Sequence, residues 1–275
     1  MANEMALART ALLDALEALN EHFEAVILVG AQAVYQHTGN AKVALAEFTT
    51  DGDLAIDPDL LGNDPLIEDA MIAAGFRPDP RESAVGTWLA GNGVPIDLMI
   101  PEAVAGSGRR SVAVPPHDSH SMRRARGLEA ALVDNSQRTL GAFDSALDPR
   151  QFVVSVAGPA ALIVAKLHKI NDRISNPTRL DNKDAHDIYR ILVAIETEPL
   201  AHSFTNLLEA PVCEQVTLEA VQLLKVLFAA GPDAAGSRMA GAAEEIVGDP
   251  VAVSESVSLL AQDLLNALDE PVTGS

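Results

Sequence analysis

The chain has 275 residues, 48% of them apolar, enough for one large packed domain or two small ones. No apolar run approaches the roughly 20 residues that a membrane-spanning helix needs, and MANEMALART lacks the basic and apolar regions of a secretory signal. The lone Cys213 excludes an internal disulfide and a cysteine-based zinc site, and a formal charge of −20 repels polyanions unless the basic residues gather in one place. A reducing cytoplasm is the expected compartment.

Residues 4–22 carry Leu12, Leu16, Leu19 and Phe23 near a 3.6-residue period and read as an amphipathic helix. The apolar, β-branched run 26–29 reads as a strand that stops at Gly30, with a short helix over 30–38 directly after the turn. A loop over 39–48 leads to a second strand, opened by Asp51-Gly52-Asp53 and running to Asp57. Pro58 begins a turn, and Asp64 is the expected N-cap of a helix reaching about residue 74. Strands are expected near 85–89 and 94–100, joined by the hairpin signal Gly91-Asn92-Gly93, with another over 112–114.

Further along, 151–157 reads as a strand and Gly158-Pro159 as a helix start, with Pro near its first position. The helix over 160–173 has Ile163, Leu167, Ile170 and Ile174 as its apolar stripe, and a second helix follows with Ile188, Ile191, Leu192 and Ile195 buried. From Pro199 onward the chain is rich in Ala and Leu and is expected to form three or so helices, with 270–275 frayed.

Several charges stand out against that frame. A period of two puts Asp51, Asp53 and Asp57 on one strand face and Leu54 and Ile56 on the other. Two carboxylates so spaced make a hard-oxygen pair suited to Mg²⁺. Asp97 lies between Ile96 and Leu98, where a charge buried without a partner is costly; a metal, a neighbouring site or solvent would relieve it. Lys166 sits among apolar residues at the expected rim of the core, either with a task or snorkelling to solvent. Asp184 and Asp187 project together, one helical turn apart. Arg109, Arg110, Arg123, Arg124, Arg126 and Arg138 fall in one window, as a solvated loop or as a groove for polyphosphate or RNA. Gly106-Ser107-Gly108 lacks the lysine of a P-loop, and His117 and His120 are incidental loop histidines or a metal pair.

A small-residue turn before D-x-D, an acid on a later strand, a lysine on a helix and K-D-x-x-D on the next helix together resemble the AbiEii-type nucleotidyltransferases. These are toxin components of bacterial toxin–antitoxin and abortive-infection systems. The resemblance covers roughly residues 24–195, with Lys183 to Asp187 its most distinctive part; the turn is Gly30-Ala31 rather than Gly-Gly or Gly-Ser. It implies an α+β fold: a nucleotidyltransferase-type mixed sheet flanked by helices over 1–150, then a mainly helical part over 151–275 that brings Lys166 and the K-D-x-x-D helix to the site. It further implies that Gly30 and Ala31 lie against a nucleoside triphosphate and that Lys166 neutralises it. Asp51 and Asp53 would hold two divalent ions, Mg²⁺ or Mn²⁺, about 4 Å apart, flanking an in-line displacement. Asp97 would be a metal ligand or the base for the acceptor hydroxyl, and Asp184 and Asp187 would complete the catalytic set. The implied reaction moves NMP from an NTP to the acceptor end of tRNA, with a cognate antitoxin protein as partner. A small hydroxylated molecule or a protein side chain is the alternative acceptor, and a catalytically silent binding partner the alternative role.

Overall fold

The computed structural model describes residues 2–39, 50–81, 83–106, 108, 110–174, 181–246 and 248–270. The protein is α+β, and two compact units divide it. One draws on Met1–Ala33 and Phe48–Ala157, the other on Val34–Glu47 and Gly158–Ser275. The expected division at 150/151 therefore falls one strand before the end of the first unit. The loop expected over 39–48 lies almost wholly outside the described residues, as do 271–275.

In the first unit α1 (Ala2–Ala18) and a 3₁₀ segment (Asn20–Ala25) lead into β1 (Val26–Val29), and α2 (Gly30–Thr38) starts at the next residue. Then come β2 (Gly52–Ile56), α3 (Ile67–Ala73), β3 (Arg77–Pro78), β4 (Thr87–Leu89), β5 (Pro95–Pro101), β6 (Arg123–Ala125), β7 (Asn135–Gly141) and β8 (Gln151–Ala157). Together they form one mixed sheet in the order β3-β4-β5-β2-β1-β8-β7, and β6 pairs with the far half of β5. Strand β1 runs antiparallel to β2 and parallel to β8, while β2 and β5 are parallel. All four residues of β1 are buried, which is why its sequence is continuously apolar rather than alternating.

Helix α1 lays Leu12, Leu16 and the following Leu19 into the core at no measurable exposure and packs on α3, β2, β5 and β8. Each leucine so buried contributes about 1.5–3 kcal/mol. Helix α3 begins at Ile67, three residues after the expected cap Asp64. The N-cap position is taken by Leu66, in extended backbone and with no side-chain cap hydrogen bond. The Ile67 N–H, free at the helix start, instead donates to His117 Nδ1 at 3.2 Å.

Two strand expectations shift. Val112–Val114 forms no strand; Ser111 makes a single bridge to Arg123, and the strand of that region is the arginine-bearing β6. Strand β7 went unforeseen, because Asn135-Ser136-Gln137-Arg138-Thr139 is polar throughout. It is an edge strand paired along its whole length with β8, and only Leu140 is fully buried.

The second unit holds α4 (Pro159–Arg173), α5 (Asn182–Ala194), α6 (Thr197–Glu209), α7 (Glu214–Leu224), a π-helical turn (Lys225–Ala229), α8 (Ala235–Ala242) and α9 (Pro250–Asp269). The part beyond Pro199 thus supplies four α-helices among the described residues, including α6. Pro159 opens α4, and the Asp181 and Asp249 carboxylates cap α5 and α9 by accepting from main-chain N–H groups of the first turn. Phe204 and Phe228 are the largest fully buried side chains of this unit.

Candidate functional site

The end of β1 and the start of β2 meet at Asp53, whose Cα partner across the antiparallel pair is Val29. Gly30 follows Val29 with φ +68°, a conformation that costs a side-chain-bearing residue energy and glycine nothing. A Cβ placed on Gly30 would run into Asp53 Oδ2 and come within 2.8 Å of Asp53 Cβ and Cγ. The turn expected to lie against a ligand is therefore pressed against the first carboxylate strand, and α2 starts at the same point. Asp53 is partly exposed between the buried Gly52 and Leu54.

Asp97 stands directly opposite Asp53, because β2 and β5 pair in parallel with Asp53↔Asp97 in register. Opposed residues on neighbouring strands point to one face about 4.8 Å apart along the hydrogen-bonding direction. Asp51 lies one residue before β2, outside that pairing. Asp97 is not a bare charge: Arg123 Nη2 donates to Oδ2 at 2.7 Å and Thr87 Oγ1 donates to Oδ1 at 2.6 Å. The two ion-pair partners are about equally accessible, at 23% and 25% side-chain exposure.

The main chain at Asp51 is held from behind. Gln32 on α2 donates from Nε2 to the Asp51 carbonyl at 3.2 Å, and its Oε1 accepts from Arg9 Nε at 2.7 Å. Arg9 also donates to the Gly141 carbonyl and lies 4.4 Å from the centre of the Phe143 ring. Burial lowers the Arg9 guanidinium to about 10.

Asp51 and Asp53 are hard oxygen donors of the kind Mg²⁺ takes, and the Asp53 carboxylate occupies the space that a Cβ at Gly30 would need. Among the described residues no group of three or more His, Cys, Asp or Glu forms a ready-made metal cage. Mg²⁺ does not need one, since it is commonly held by one or two carboxylates together with substrate phosphates and water.

Lys166, Asp184 and Asp187 come together in the helical unit, α4 against α5. Lys166 is 5% exposed, inside the core rather than at its rim. Its ammonium donates to Asp184 Oδ1 at 2.8 Å and to Asp187 Oδ2 at 2.6 Å. Lys169 and Arg173 add charge to Asp184 at 3.0 and 3.4 Å. Burial alone would lower the Lys166 value, but Asp184 and Asp187 more than offset it and hold the ammonium well above the usual lysine range. Burial likewise opposes the Asp184 charge, yet Lys166 and Lys169 keep that carboxyl far below its ordinary value. In the same unit Arg190 donates to Thr38 Oγ1 and to the Thr38 carbonyl, and its guanidinium lies 5.6 Å from the Tyr35 ring.

Three arginines of the window are engaged within the protein. Arg123 is on Asp97, Arg124 donates to the Ala105 and Gly106 carbonyls, and Arg126 pairs with Glu102; Arg109 lies outside the described residues. His117 and His120 are not a pair. His117 is buried and bonds to Ile67 and Gly62, while His120 is exposed beside Asp118.

The residues that sequence reasoning missed are Arg123 and Thr87 on Asp97, and Gln32 and Arg9 behind Asp51. Thr87 was within reach: a hairpin centred on Asn92 places residue 87 opposite residue 97. No protein-family model, curated protein or solved structure matches this chain.

Proposed function

We propose that the chain is a nucleotidyltransferase of the AbiEii type, moving NMP from an NTP to an acceptor hydroxyl. The observation that carries this reading is the meeting of Gly30, Asp53 and Asp97 at one end of β1, β2 and β5. A glycine turn opening a helix, beside two carboxylates on parallel neighbours, is an arrangement for a polyphosphate and a divalent cation. Asp51 and Asp53 would hold Mg²⁺ or Mn²⁺, which supplies charge compensation for the triphosphate. Gly30 and Ala31 lend the first N–H groups of α2, and a helix start favours anions. Gln32 fixes the main chain that carries Asp51, so that carboxylate is preorganised rather than ordered on binding. Within the helical unit, the buried Lys166–Asp184–Asp187 cluster locks α5 to α4.

The acceptor that follows from the resemblance is the acceptor end of tRNA, in a toxin restrained by an antitoxin protein. A second reading, a small hydroxylated acceptor, is favoured by the pairing of Arg123, Arg124 and Arg126 within the protein and by the charge of −20. Calorimetry with each NTP tests the core of the proposal: heat of binding with Mg²⁺ or Mn²⁺ supports it, and equal binding in EDTA argues against it. A steep fall of tRNA affinity with salt would select the first acceptor, and absence of tRNA binding the second.

A further inference from the structure

Resting on that reading, we propose that Arg9 is a positioning residue of the nucleotide site, acting on Asp51 through the side-chain amide of Gln32. The pairing of β2 stops short of Asp51: its register with β1 ends at Asp53 and its register with β5 at Gly52. The Asp51 carbonyl is held from α2 instead, by Gln32 Nε2 at 3.2 Å. Gln32 Oε1 accepts from Arg9 Nε at 2.7 Å, and Arg9 and Gln32 are both buried, at 4% and 3% exposure. A guanidinium can only donate and a carbonyl only accept, so the two neighbours together fix which way the amide points. With Arg9 in place, the Nε2 donor faces Asp51. Without it, the amide loses the partner that orients it.

Arg9 is itself held. Its Nη1 donates to the Gly141 carbonyl at the end of β7 at 2.8 Å, and its guanidinium lies 4.4 Å from the centre of the Phe143 ring. No carboxylate pairs with it among the described residues, and burial lowers the guanidinium to about 10. A carboxylate at position 32 would supply the missing counter-charge, in a charge-assisted bond to Arg9. It would also lose the donor that holds the Asp51 carbonyl, since an ionised carboxylate only accepts. Support of Arg9 and placement of Asp51 therefore ask for different side chains at 32, and glutamine meets both.

Gln32→Glu separates the two roles. Thermal melts should show a Tm no lower than wild type, because Arg9 gains a counter-charge. Hydrogen exchange, read without nucleotide so that the added charge has no ligand to act on, should be faster across residues 50–53. Calorimetry with a non-hydrolysable NTP analogue and Mg²⁺ should show an affinity weaker by about tenfold or more, as for other residues that orient a metal-binding group. Arg9→Met should give the same two losses together with a lower Tm. Unchanged exchange at 50–53 in Gln32→Glu would overturn the inference, as would unchanged affinity or a Tm several degrees below wild type. No Mg²⁺-dependent binding by wild type would remove the nucleotidyl-transfer reading, while the exchange data would still decide whether Arg9 and Gln32 hold the chain at Asp51.

Discussion

Gly30 and Asp53 share a space that only a residue without a side chain can leave open. The strand β1 ends, the chain turns at φ +68°, and the Asp53 carboxylate fills the volume a Cβ would need. Gly30→Ala therefore meets two penalties at once, a left-handed backbone that alone costs about 1–3 kcal/mol and a collision with Asp53. We expect a Tm several degrees lower and loss of Mg²⁺-dependent NTP binding. Unchanged binding by Gly30→Ala in calorimetry would mean that the turn has no part in the site.

Lys166 neutralises two carboxylates deep in the helical unit. Removing one member of a buried ion pair leaves the rest uncompensated, at a cost of about 3–5 kcal/mol. Lys166→Met should lose that much in urea unfolding, and adding Asp184→Asn and Asp187→Asn should recover part of it. Wild-type stability in the single variant would contradict the geometry.

The same cluster sets a pH window. The Asp184 value is depressed on folding, so its contribution is complete above the unfolded value of about 3.9 and is lost as pH falls below it. The Lys166 value is raised, so its contribution is complete below the unfolded value of about 10.4 and is lost as pH rises toward the folded one. Stability from this cluster should therefore be flat between about pH 5 and 10. Lys166→Met should lack the alkaline fall that the wild type owes to this lysine, which thermal melts across pH would reveal.

His117 closes the start of α3 by accepting the Ile67 N–H while donating to the Gly62 carbonyl at 2.9 Å. His117→Ala leaves a buried donor without a partner, worth about 1–3 kcal/mol. Hydrogen exchange should show the Ile67 amide and the first turn of α3 losing protection while α4 is unaffected. Equal protection in both proteins would show that solvent replaces the imidazole.

Much of the sheet was legible because its signals are local. β1 is an unbroken apolar run bounded by glycine, β5 follows a Gly-Asn-Gly hairpin, and α4 starts at a proline. Gly30, Asp53 and Asp97 could be singled out for the same reason, each lying at the end or middle of a readable strand. Asp184 and Asp187 were correctly placed on one side of a helix, one turn apart. What escaped depended on pairing between distant segments. No turn rule joins β5 to β6 across more than twenty residues, so the match of Arg123 to Asp97 left no local trace. Polar β7 survives only as a partner for β8. Lys166 looked like a rim residue because its two counter-charges arrive on the following helix.

The decisive measurement is transfer of label from each α-³²P NTP into total tRNA, with Mg²⁺, by wild type and by Asp53→Ala. The expected result is labelled RNA with one nucleotide from wild type and none from the variant. Equal labelling by the variant would contradict a role for Asp53. No labelling, together with no Mg²⁺-dependent NTP binding, would contradict nucleotidyl transfer itself.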